Sequence, residues 1–113
     1  MSVTINSRVS GDVCILDLTG KITLGDGSAR LRDKVKEMAA AGNKKILVDL
    51  GGVNYIDSSG IGELVSAYTT ISNNGGDLKL VRLTKRVQDL LQITKLYTVF
   101  EVFDDEQKAL QSF

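Results

Sequence analysis

The sequence predicts an α/β fold, one mixed five-stranded sheet with about four helices packed against it, in the order β-β-α-β-α-β-α-β-α. Three observations carry that reading. Two strand-like segments open the chain with only Ser10-Gly11-Asp12 between them, which favours an antiparallel hairpin. A nearly continuous apolar run, Ile46-Leu47-Val48, follows the first helical pattern and suits a strand covered on both faces. Helical and strand patterns then alternate to the end, and strands joined through helices run parallel. For 113 residues, folded and unfolded surfaces of roughly 6,000 and 17,700 Å² imply that about 65% of the surface is buried. That is enough for one core, so residues 1–113 read as a single domain with no linker or repeat.

Each element has its own signal. Val3, Ile5 and Val9 alternate with Thr4, Asn6 and Arg8, the period of a strand with one wet face. Residues 13–18, Val-Cys-Ile-Leu-Asp-Leu, make a more buried second strand. A loop over 20–27 precedes a helix over 29–41, where Leu31, Val35, Met38 and Ala39 share a face and Gly42-Asn43 stops it. After the strand at 45–50, Ile61, Leu64, Val65, Tyr68 and Ile71 give residues 59–72 helical periodicity, ended by Asn73-Asn74-Gly75-Gly76. Residues 78–83 read as a strand, 85–92 as a short helix packing Val87, Leu90 and Leu91, and 98–103 as the last strand. Asp104-Asp105-Glu106 opens a final helix over 104–111, its acids suited to the positive end of the dipole.

Composition narrows the chemistry. Fourteen basic and fourteen acidic residues cancel, which argues against a dedicated nucleic-acid or membrane-surface binder. With no histidine, a Ser-His-Asp triad, a Cys-His dyad and a His-ligated metal site are excluded. Cys14, the single cysteine, has no partner within the chain and reads as a small buried thiol of a reducing compartment. Met1-Ser2-Val3-Thr4-Ile5-Asn6 lacks the basic and apolar regions of a leader, and no apolar run approaches membrane length; a soluble, cytoplasmic protein is expected. No cofactor is expected. Gly25-Asp26-Gly27-Ser28-Ala29-Arg30 begins like a dinucleotide fingerprint but lacks its last glycine, and a hairpin precedes it. The three adjacent acids at 104–106 cannot converge on one cation.

The most informative stretch is Val53-Asn54-Tyr55-Ile56-Asp57-Ser58-Ser59-Gly60-Ile61-Gly62, between the central strand and the strongest helix. Sites in open α/β sheets gather beyond the carboxyl ends of strands, and a helix start offers free N–H groups. Asp and Ser are also ordinary N-caps, so from spacing alone a structural and a functional role both stay open. Gly60 and Gly62 fall in the first helical turn, where glycine costs about 1 kcal/mol relative to alanine. If Ser59 is the N-cap its hydroxyl is occupied, leaving Ser58 free to face solvent. Without a base beside it, Ser58 is no self-activated nucleophile, which leaves an enzyme reading poorly supported. Phosphorylated, it would carry about −1.5 to −2 charges beside Asp57, partly stabilised by the helix dipole.

Asp57-Ser58-Ser59-Gly60-Ile61-Gly62 with the helix after it, Gly75-Gly76-Asp77-Leu78-Lys79-Leu80, Leu18-Thr19-Gly20, and the run Val87 to Leu96 with Phe100 resemble the bacterial anti-sigma factor antagonists of the STAS domain family. The likeness spans nearly the whole chain. It implies a regulatory binding protein and no enzyme, one that binds an anti-sigma factor that is also a serine kinase and so frees a sigma factor. The kinase would phosphorylate Ser58 and abolish binding, and a phosphatase would restore it. Asp57 and Ser59 would shape the loop, while Gly60, Ile61 and Gly62 belong to the docking segment. Family members often carry acids after the Thr-Gly of the second strand; here Lys21 and Thr23 stand instead, and a lysine there would favour phosphate or tune the partner. Arg82, Lys85 and Arg86 make a local basic patch, either a solvated face or a docking contribution near the serine loop. An alternative is a STAS subunit of a larger transport or stress-signalling assembly. Direct nucleic-acid contact and membrane insertion are not expected.

Overall fold

The opening alternation produces the expected hairpin. In the computed structural model, which describes residues 3–113, β1 (Val3–Ser10) pairs antiparallel with β2 (Val13–Ile22) across the tight turn at Gly11, whose φ of 60° suits glycine. β3 (Lys45–Ile56), β4 (Asp77–Val81) and β5 (Val102–Phe103) then join in parallel, and the strands lie in chain order β1-β2-β3-β4-β5. The connections are α1 (Asp26–Ala40), α2 (Ser58–Asn73) and α3 (Lys85–Ile93), and α4 (Glu106–Gln111) closes the chain. The folded surface of 5956 Å² equals what one core for this mass requires.

Strand alternation divides the interior in two. Leu16, Val48 and Leu80 face the larger cluster, with Leu31 and Val35 of α1, Leu64 and Ile71 of α2, and Val87 and Leu91 of α3. Ile15, Leu47 and Val81 point the other way, onto Ala109 of α4. Three helices therefore cover one side of the sheet and the short α4 covers the other. Leu64 is fully buried, and such a side chain contributes about 1.5–3 kcal/mol.

Several boundaries differ from the sequence expectation. β2 continues to Ile22 and β3 to Ile56, so the expected loop over 20–27 shrinks to three residues, 23–25. The strands tolerate their glycines through register shifts near Thr19 and Gly20. A side chain at Gly52 would meet the Leu18 carbonyl at 2.9 Å, so glycine permits this close approach. The last strand shrinks to two residues, because a 3₁₀ turn over Leu96–Thr98 takes up the chain before it. Helix α4 starts two residues late, with Asp105 as its N-cap accepting from the Lys108 N–H at 3.3 Å.

Candidate functional site

The longer β3 delivers Asp57 directly to the start of α2. Asp57, not Ser59, is the N-cap: its Oδ1 accepts from the Gly60 N–H at 2.9 Å. Its second oxygen accepts from the Leu24 N–H at 3.1 Å, tying the β2–α1 turn to the same point. Burial pushes the Asp57 carboxyl up, but backbone N–H groups of Gly60, Leu24 and Ser59 outweigh it and hold the group below its ordinary range. The carboxylate is a fixed bracket and a weak base.

The correction at the cap changes the role of Ser59 but not the contrast between the serines. Ser28, buried at the start of α1, donates its one hydroxyl proton to the Thr23 carbonyl at 2.9 Å. Its oxygen lies 3.1 Å from that of Ser59, so Ser59 must be the donor in that pair. Ser59 is thus tied inward to Ser28 and Thr23. Ser58 is exposed, and among the described residues no intramolecular hydrogen bond engages its hydroxyl.

The two glycines also separate. A Cβ on Gly60 would sit 2.3 Å from the Ile22 carbonyl oxygen and 2.7 Å from Ile56 Cγ1. Gly60 and Ile61 are buried and act through the fold, not as surface contacts. Gly62 is exposed, with nothing within 4 Å of an added Cβ. It lies one helical turn from Ser58, on the same face, so the hydroxyl adjoins a flat stretch of helix.

A groove of about 420 Å³ opens between the Asp57–Ser58 corner and α3, lined by Tyr55, Ile56, Arg86, Asp89, Leu90 and Ile93 as well. Thr84 caps α3 and starts the turn that carries Arg86. The Arg86 guanidinium lies 4.3 Å from the Tyr55 ring centroid, a stacked cation–π contact, and no ion pair among the described residues involves it. Lys85 is exposed and paired with Asp89 at 3.0 Å along the helix.

Of the basic patch expected from sequence, Arg86 lines the groove and Lys85 lies beside it, but Arg82 does not join them. Arg82 has φ 55° and turns to Asp49, which it binds through Nε at 3.0 Å and through Nη2. Asp49 is buried and needs that partner, so Arg82 serves the fold. Lys21 is exposed and sits opposite Tyr55 in the β2–β3 register. Thr23 contributes its backbone carbonyl to the serine relay.

Sequence reasoning missed two apolar side chains. Leu24, 81% exposed, adjoins Asp57 through its backbone, and Ile93, 78% exposed, lines the groove. Both are large and unburied beside the same corner, which is how docking anchors look before a partner covers them. An uncovered Leu in a turn and an Ile at a helix end were the only available signals.

The sequence model of the STAS domain family matches residues 4–109. The chain is 25% identical over 111 residues to the anti-sigma-B factor antagonist of Bacillus subtilis, covering 98% of this chain and 100% of that one. An anti-sigma factor antagonist of Mycobacterium paratuberculosis superposes with a TM-score of 0.87 at 19% identity, over 98% of this chain and 93% of that chain. The phosphorylated form of the Bacillus cell fate determinant SpoIIAA superposes with a TM-score of 0.75 at 16% identity, over 96% of this chain and 98% of that one. No helix among the described residues is long and apolar enough to cross a membrane.

Proposed function

The chain belongs to the STAS domain family, and we propose that within it this protein is an anti-sigma factor antagonist switched by phosphorylation of Ser58. Unmodified, it binds an anti-sigma factor that is also a serine kinase and so releases a sigma factor. The observation that carries the reading is the exposed, unengaged Ser58 hydroxyl beside the inward-tied Ser59. A kinase reaching this corner finds one available serine of the two.

The chain supplies an acceptor and the kinase supplies the chemistry. Ser58 Oγ attacks the γ-phosphorus of ATP, the bond to ADP breaks, and the serine proton leaves to a base of the kinase. Asp57 is unsuited to that task, since two backbone N–H groups hold its oxygens and keep it a poor proton acceptor. Before transfer, the partner rests on Ser58 and Gly62, with Leu24 and Ile93 as apolar anchors and Arg86 and Lys85 at the groove. Afterwards about −1.5 to −2 charges stand at that contact. A surface fitted to a neutral hydroxyl is then repelled, and a phosphatase that hydrolyses the ester restores binding. The names of the Bacillus subtilis relative and of phosphorylated SpoIIAA support the two halves of this reading, antagonism and phosphorylation.

The test is incubation with the cognate kinase and ATP, followed by mass-spectrometric site mapping. One phosphate on Ser58 is expected, absent from Ser58→Ala. Modification of Ser59, or none, contradicts the proposal.

A further inference from the structure

We propose that Arg86 is an internal receptor for the phosphate of phospho-Ser58, binding it across the groove and holding it against α3. The inference rests on Ser58 being the modified residue. The start of α2 is a poor receptor, because Asp57 already takes the Gly60 N–H and lies close to the Ser59 N–H. A phosphate placed there meets the Asp57 carboxylate first. Something must offset that repulsion.

Arg86 has the attributes required. It lines the same groove as Ser58, no carboxylate among the described residues pairs with it, and its guanidinium rests on Tyr55 at 4.3 Å. The contact holds the guanidinium over the ring, and no side-chain hydrogen bond among the described residues engages its N–H fork, which suits two phosphate oxygens. Of the other charged groups at or near the groove, Asp57 and Asp89 are acids, Lys85 is held by Asp89, and Lys21, opposite Tyr55 in the β2–β3 register, does not line it. Phosphorylation then does two things at once. It adds charge at the docking corner, and it withdraws Arg86 from whatever the groove offers a partner.

The test installs phosphoserine at position 58 during translation, so its outcome does not depend on any kinase. Phosphorus NMR then follows the second ionisation of the ester in the otherwise wild-type protein and in Arg86→Gln, Arg86→Lys and Lys85→Gln. Arg86→Gln should raise that pKa by about 0.5 or more, since a nearby cation favours the dianion. Arg86→Lys should show only part of that rise, and Lys85→Gln should leave the pKa nearly unchanged. The Arg86 Nε–H resonance should also move on phosphorylation. Arg86 is exposed, so the variants fold. Equal pKa values in wild type and Arg86→Gln, or an equal change in Lys85→Gln, would overturn the assignment. Neither result would touch phosphorylation of Ser58 itself, which the kinase mapping decides.

Discussion

Replacing Gly60 by alanine places a carbon 2.3 Å from the Ile22 carbonyl oxygen, 2.7 Å from Ile56 Cγ1 and 3.0 Å from Ile22 Cγ2. The first neighbour is backbone in a strand that pairs with β3 through Ile22 and Ile56, so it cannot rotate aside. Forcing one methyl into a filled interior costs about 1–3 kcal/mol, and more where backbone must move. The gain in helix propensity, about 1 kcal/mol at most, offsets only part of it. With a close approach this short, the upper end applies, and a net loss of about 2 kcal/mol or more is expected. At a urea slope of about 1–2 kcal/mol/M the midpoint should fall by about 1–2 M. Gly62→Ala is the internal control. It sits in the same turn with nothing within 4 Å, so it should keep or raise stability by up to about 1 kcal/mol. On the proposed docking face it should nonetheless weaken partner binding. Equilibrium urea unfolding of both variants decides the matter. An unchanged midpoint for Gly60→Ala, or a large fall for Gly62→Ala, would refute the assignment of one glycine to the fold and the other to the surface.

Three further outcomes follow from the same contacts. Asp57→Ala should cost about 1–2 kcal/mol at pH 7 through loss of the cap. Because the folded Asp57 pKa lies below its ordinary value, that ionic contribution is present above the ordinary Asp range of about 3.9. It is lost as pH falls through the lower folded value, so the gap between wild type and Asp57→Ala should narrow in acid unfolding series. Lys79 is buried, donating to the Ser112 carbonyl at 2.8 Å and pairing with Glu101 at 2.8 Å under the Phe113 ring. Lys79→Ala should cost about 2 kcal/mol and speed amide exchange in α4, with Lys79→Met recovering the part due to the stem. Ser28→Ala removes the acceptor of Ser59 and should cost about 1 kcal/mol. Kinase treatment of that variant should yield some phosphate on Ser59, read by the same site mapping.

Element type and order were legible because local periodicity decides them: the hairpin, α2 with its Asn73–Gly76 stop, and the apolar β3 appear where their patterns lie. Lengths were less legible. Thr19-Gly20 and Gly51-Gly52 look like turns, yet both lie inside paired strands whose register shift only the opposite strand can supply. The cap stayed open in the sequence because Asp57 and Ser59 are both good cap residues. Asp57 wins because its second oxygen also reaches Leu24, a contact 33 residues away in sequence. The exposed Ser58 was readable from the local motif, whereas the stacking of Arg86 on Tyr55 and the turn of Arg82 toward Asp49 were not. Each depends on how β3, β4 and α3 meet in space.

The affinity of the cognate anti-sigma factor kinase for the unmodified protein, set against its affinity for the protein carrying phosphoserine at position 58, tests the central claim most directly. Titration calorimetry of the two forms should show binding weakened at least about tenfold by the phosphate, a loss of about 1.4 kcal/mol or more. Equal affinities would contradict the switch.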